Sequence, residues 1–230
     1  MKKPDIQRLN QACQLIAAAY NDHQNPNAVP DSIITRDGQQ HRIICTLTAR
    51  PNGPSSAPER FALVTESPDT YRVSIRGTDS FQDWITDIRL QLQPTGFVGH
   101  ATAGVNDLAQ QLHQQLALPT DKPVILQGHS LGAAIATRLA VMVHNIAAVY
   151  AIASPKWADA ACAAAYQQHY GDRTTRLVNQ ADLVPELPEH FPGLPQLHHV
   201  VPALAFNADH GDIVARHALA TYQNNLWQCA

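Results

Sequence analysis

The stretch that most restricts how this chain can fold is VILQGHSLGAAIATRLA, residues 124–140. Four apolar or weakly polar residues come first and read as a short buried strand. A run of small and aliphatic residues follows and reads as a helix from Leu131 to about His144. Between them a single serine, Ser130, stands between Gly128 and Gly132. A serine hydroxyl is a weak nucleophile unless its oxygen is exposed and a base reaches it. A sharp strand-to-helix turn exposes it, and crowds its neighbours so closely that positions 128 and 132 must be small. The first N–H groups of the helix also lack intrahelical acceptors and point towards whatever lies beside Ser130. The competing reading is a glycine-rich turn in which Ser130 only caps the helix.

The rest of the chain alternates in the same way. Ile6, Leu9, Cys13, Ile16 and Tyr20 fall on one face of a helix over residues 5–20. IICTLTA at 43–49 reads as a strand. FALVTE and YRVSIRG, separated by SPD, read as a hairpin. Residues 104–118 form a polar helix with an apolar stripe, 147–154 and 175–179 are further buried strands, and ADAACAAAYQQHYG is a helix ended by Gly171. Pro202 puts the extended piece around 198–206 at a sheet edge, and a last helix is expected from Ile213 to Leu226. Continuous apolar strands alternating with helices imply an α/β fold with a mostly parallel central sheet, helices on both faces, and an antiparallel hairpin on the N-terminal side. The expected organisation is one domain over 1–230.

Composition excludes several functions. A formal charge of −3 and an aromatic content of 6% offer neither a basic stripe nor a wide stacking surface for nucleic acid. No stretch approaches the ~18 apolar residues of a membrane span, so no stable membrane insertion is expected. The first twenty residues are interrupted by Asp5, Arg8 and Asn10 and make no secretory leader. That suggests a cytoplasmic protein, with leaderless secretion as the alternative. Cys13, Cys45, Cys162 and Cys229 have no metal-type spacing and read as free thiols. No metal or other cofactor is expected.

If Ser130 is a nucleophile of the strand–turn–helix kind, an acid and then a histidine should follow it in the chain. Asp182 lies just past the strand TRLVN; its other reading is a turn residue before Pro185. Five histidines follow Asp182. His217 heads the apolar stretch HALATY and is preferred over His210, which sits in the polar loop NADHGD.

Several separated segments, in order over about residues 60–225, resemble the class 3 (fungal-type) triacylglycerol lipases. These are Ile75-Arg76-Gly77-Thr78, Ser80 to Asp87, Gly128 to Gly132, Val178-Asn179 with Asp182-Leu183-Val184-Pro185, and His217 with Tyr222. The sequence departs from that pattern at Ala133, at Ala153-Ser154-Pro155, and at Val105, where an aromatic is usual. The resemblance implies an α/β-hydrolase fold and a serine ester hydrolase acting through Ser130, Asp182 and His217. It implies an oxyanion hole from the N–H groups of Leu131 and Thr78, with the Thr78 hydroxyl adding a third bond. Asp87 is placed behind Thr78, where the alternative is a plain exposed helix carboxylate. Phe81, Trp84, Ile85 and Ile88 would form a lid or substrate-binding segment, or else an ordinary amphipathic helix. Phe97, Trp157 and Leu183 are candidates for the acyl pocket. The expected partner is an ester or lipid substrate, with transient binding at a lipid–water interface. The leading activity is lipase action on acylglycerols. The rivals are a soluble short-chain or feruloyl-type esterase, a phospholipase A1, and a catalytically silent binding module. The complete serine, acid and histidine set weighs against the last.

Overall fold

The computed structural model describes residues 5–51, 53, 55–78, 89–189, 196–209 and 211–229. Phe81, Trp84, Ile85, Asp87, Ile88 and His210 fall outside these, so the expectations placed on them are not addressed by the fold.

Among the described residues ten strands form in chain order: β1 (Ser32–Ile34), β2 (Gln40–Ala49), β3 (Glu59–Glu66), β4 (Tyr71–Ile75), β5 (Leu92–Pro94), β6 (His100–Thr102), β7 (Val124–His129), β8 (Ile146–Ile152), β9 (Thr174–Asn179) and β10 (Ala203–Phe206). Eight build one sheet in the order β1-β2-β3-β4-β7-β8-β9-β10, while β5 and β6 make a separate pair. Pairing is antiparallel from β1 to β4 and parallel from β4 to β10. The expected hairpin is thus β3–β4, and Pro202 does precede an edge strand. Beyond that expectation, the antiparallel side extends to the short edge strand β1.

Among the described residues six α-helices accompany the sheet: α1 (Ile6–Gln24), α2 (Ala103–Gln115), α3 (Leu131–Ala140), α4 (Ala160–Tyr170), α5 (Ile213–His217) and α6 (Leu219–Asn224). The period-two alternation of the strands divides the core in two. Val124, Leu126 and Val149 face one side and pack with Leu108 and Leu112 of α2 and with Ile135 and Leu139 of α3. Ile125, Tyr150 and Ile152 face the other side and pack with Leu9, Cys13 and Ile16 of α1 and with Tyr222 of α6. No described helix is long and apolar enough to cross a membrane. All four cysteines are free thiols, three of them buried and Cys45 exposed.

Two helical expectations are revised, and a third is met with a different cap conformation. The helix after Ser130 stops at Ala140 rather than His144, because the chain turns through Asn145 at φ 58° and gives its carbonyl to the Val124 N–H. Gly171 ends α4 in a right-handed conformation and continues into a 3₁₀ turn, so its freedom at positive φ is not used. The last helix is broken at Ala218, whose ψ of 135° separates α5 from α6.

Candidate active site

In a parallel sheet the loops after the strand C-termini gather on one edge, which is where α/β proteins place their sites. Here the loops after β4, β7 and β9 carry Gly77-Thr78, Ser130 and Asp182. Register brings them level: Ile75 pairs with Gly128, His129 with Ile152, and Ile152 with Leu177.

Ser130 has φ 57° and ψ −128°, a conformation L-residues rarely adopt. It is held there from both sides. Its N–H donates to the Ile152 carbonyl at 2.9 Å, and its own carbonyl accepts from the Ala133 N–H at 2.9 Å. Its side chain caps nothing in α3, which argues against the capping alternative. The two glycines are steric necessities. A Cβ on Gly128 would lie 2.1 Å from the Gly132 carbonyl oxygen, and one on Gly132 would lie 2.4 Å from the carbonyl oxygens of both Ile75 and Arg76. The turn is therefore clamped between α3 and the end of β4. Leu131 occupies the first position of α3, where an N–H has no intrahelical acceptor. Thr78 is half-buried in the loop after β4.

Asp182 and His217 meet, with Nδ1 of His217 2.8 Å from Oδ2 of Asp182. The Asp182 side chain is fully buried, whereas that of His217 is 13% exposed and so is reached from the outside. Oδ2 of Asp182 also accepts from the Tyr222 hydroxyl at 2.7 Å, and Oδ1 accepts from the Val184 N–H at 3.0 Å. Three donors thus satisfy a carboxylate that burial alone would disfavour. Burial and the adjacent Asp182 charge push the Tyr222 phenol far up, so it remains a donor. The Tyr222 hydroxyl oxygen itself accepts from the Asn179 N–H at 3.1 Å, tying β9 to the acid. The Asn179 amide in turn donates to the carbonyls of Ala208 and Arg216, both at 3.1 Å, and so carries the His217 segment.

Two residues that the sequence reading passed over complete the surroundings. His129, inside the glycine–serine motif, is 4% exposed. Its Nδ1 lies 2.9 Å from the Tyr20 hydroxyl and its Nε2 lies 2.9 Å from the His217 carbonyl oxygen. By spacing alone Tyr20 is one position on an apolar helical face. Its hydroxyl also accepts from the Gly77 N–H at 2.8 Å. A histidine beside the serine was the one visible signal; the tyrosine gave none.

The acyl-pocket candidates scatter. Trp157 is 1% exposed within the core, Phe97 packs edge-on against His169 and Tyr170, and Leu183 is 53% exposed next to Asp182. Large flat side chains are commonly consumed by packing, and the first two are used in that way.

The family model of class 3 lipases matches residues 72–191, more than half of the chain. The chain belongs to the class 3 lipase family. No curated protein matches it. Among solved structures, Rhizomucor miehei lipase in a propeptide complex is similar at 24% identity and TM-score 0.59, covering 80% of this chain and 64% of that one. The chain thus spans just under two thirds of that relative's length. Lip2 lipase of Yarrowia lipolytica is similar at 16% identity and TM-score 0.62, with 82% and 75% covered. A triacylglycerol lipase described as having a serine protease triad at its catalytic centre is similar at 22% identity and TM-score 0.57, with 80% and 75% covered. At these identities the likeness establishes the α/β-hydrolase fold alone. The class 3 lipase match contains Gly77, Thr78, Ser130 and Asp182, while Tyr20, His217 and Tyr222 lie outside it.

Proposed function

We propose that this class 3 lipase family member hydrolyses carboxylic esters, acylglycerols foremost, through Ser130, His217 and Asp182. One observation carries the reading: a serine strained at positive φ in a sharp strand-to-helix turn shares the C-terminal edge of the sheet with a histidine bonded to a buried carboxylate. The triad described for a triacylglycerol lipase of similar fold supports it.

In this mechanism Ser130 Oγ attacks the ester carbonyl carbon, and its proton passes to Nε2 of His217. Asp182 accepts the Nδ1–H, which fixes the tautomer and stabilises the imidazolium. The carbonyl π electrons move to the oxygen, and the N–H groups of Leu131 and Thr78 receive the resulting oxyanion. As the intermediate collapses, the C–O bond to the alcohol breaks and His217 returns the proton to the leaving oxygen. Water then gives a proton to His217 and attacks the acyl-enzyme carbonyl; the C–Oγ bond breaks, His217 returns the proton to Ser130 Oγ, and the acid leaves. Removing one oxyanion donor costs ~10²–10³ in kcat in comparable sites.

Ser130→Ala should abolish hydrolysis of p-nitrophenyl esters while thermal unfolding remains cooperative; retained turnover rejects the nucleophile. Esters from two to sixteen acyl carbons, assayed below and above their solubility limits, separate the substrate classes. A rise in rate at the limit marks a lipase that works at the lipid–water interface. A smooth decline marks a soluble esterase.

A further inference from the structure

An oxyanion donor is effective only if it is fixed before charge develops. The Thr78 N–H belongs to the peptide after Gly77, the residue with least intrinsic restraint. Glycine is required there. A Cβ on Gly77 would lie 2.8 Å from Ser130 Cβ and 2.7 Å from the Tyr20 hydroxyl. The loop must therefore be held by other groups. Arg76 Nη1 donates to the Gly77 carbonyl at 2.7 Å, which is the far side of the same peptide plane. The preceding peptide is held by the Tyr20 hydroxyl through the Gly77 N–H.

The bond directions from Tyr20 onward are forced. A backbone carbonyl only accepts, so His129 Nε2 carries the hydrogen that goes to His217 O. Nδ1 of His129 then holds a lone pair, and the Tyr20 hydroxyl must donate to it. The hydroxyl oxygen then accepts from Gly77 N–H. The chain runs Gly77 N–H to Tyr20, Tyr20 to His129, and His129 to the His217 carbonyl, with every atom used in one sense. Burial first, and the neighbouring His217 second, keep the His129 ring well below the ordinary histidine range, so it stays neutral and holds this tautomer. The rings of His129 and His217 lie 4.8 Å apart.

We propose that Tyr20 and His129 are positioning residues for ester hydrolysis. Their hydrogen-bond chain sets the spacing between the oxyanion peptide at Gly77-Thr78, the turn at Ser130 and the base at His217. The inference rests on the triad reading above, and it makes helix α1, which lies outside the family match, a working part of the site.

Tyr20→Phe keeps the ring and removes the hydroxyl. With p-nitrophenyl butyrate it should lower kcat about tenfold and change KM by less than about twofold, because the lost restraint matters in the transition state. Titration of reactive Ser130 with a fluorophosphonate counts folded sites, so kcat per site stays defined even if the variant is less stable. His129→Gln should lower kcat as well, and the double variant should fall no more than about twofold below the weaker single one, since both cut one chain. Normal kcat in Tyr20→Phe overturns the inference. So does a raised KM at unchanged kcat, which would make Tyr20 a substrate contact. Multiplying effects in the double variant would also overturn it. Turnover surviving in Ser130→Ala would instead sink the triad reading beneath it.

Discussion

At the scale of single residues, the cost of the site is concentrated at Ser130. A side-chain-bearing residue at positive φ costs ~1–2 kcal/mol, and the surrounding packing must enforce it. The enforcement is specific to position. Gly132 faces the carbonyl oxygens of Ile75 and Arg76, backbone atoms that cannot swing aside. Its neighbour Ala133 is also fully buried but accepts its methyl group without conflict. Gly132→Ala should therefore lower stability by about 3 kcal/mol or more, or abolish folding, as forced overpacking does. Ala133→Gly, although it brings the motif nearer to the family pattern, should cost only about 1 kcal/mol, the usual helix penalty of glycine. Urea midpoints of the two variants side by side decide this. Equal midpoints would mean that the turn is less tightly clamped than the contacts indicate.

Among the elements, those with a local signature were legible in the sequence and those decided by distant partners were not. Apolar runs such as YAI and short turn signals around FALVTE and YRVSI located β8 and the β3–β4 hairpin, because buried strands need continuous hydrophobicity. The pairing of Asp182 with His217 was readable because Asp182, like Ser130, follows a strand end and His217 heads an apolar stretch. The break at Ala218 was not readable, since alanine favours a helix. Tertiary bonds override that preference. The last carbonyls of α5 are claimed from outside the helix: Ala215 by the Thr221 hydroxyl at 2.6 Å, Arg216 by Asn179 at 3.1 Å, and His217 by His129 at 2.9 Å. A continuous helix would have taken those carbonyls back and moved His217 off Asp182. Tyr222 works from the other side of the same break, joining α6 to β9 and to the acid. Tyr222→Phe leaves a buried carboxylate and the Asn179 N–H each short of one bond. It should lower stability by about 1–3 kcal/mol. It should also lower kcat more than it changes KM; an unchanged kcat would show that Asp182 holds His217 without it.

On the scale of the whole molecule, the face beneath α1 is not purely apolar, and this predicts how the fold responds to acid. Gln11 of α1 donates to His41 and to Asp37, and accepts from Arg72, which also reaches Gln127 on the neighbouring strand. His41 is fully buried on β2. Burial first and the Arg72 charge second lower its pKa to about 4, against a smaller opposing pull from Asp37. His199, partly buried near Arg176 and Lys156, is lowered to about 3, again chiefly by burial. Both rings are neutral in the fold, whereas in the unfolded chain they take up a proton near pH ~6.5. Below that point the unfolded state binds protons that the native state refuses, so stability is complete above about pH 6.5 and falls as the solution is acidified towards pH 4. Each such histidine contributes a slope of up to ~1.4 kcal/mol per pH unit. Equilibrium urea unfolding at half-unit steps from pH 7 to pH 4.5 should show this decline. His41→Gln should flatten it by up to one proton's worth near pH 5, whatever its effect on stability at pH 7. A variant with an unaltered slope would mean that His41 protonates within the fold, and that Arg72 and the amides around it rearrange to accept the charge.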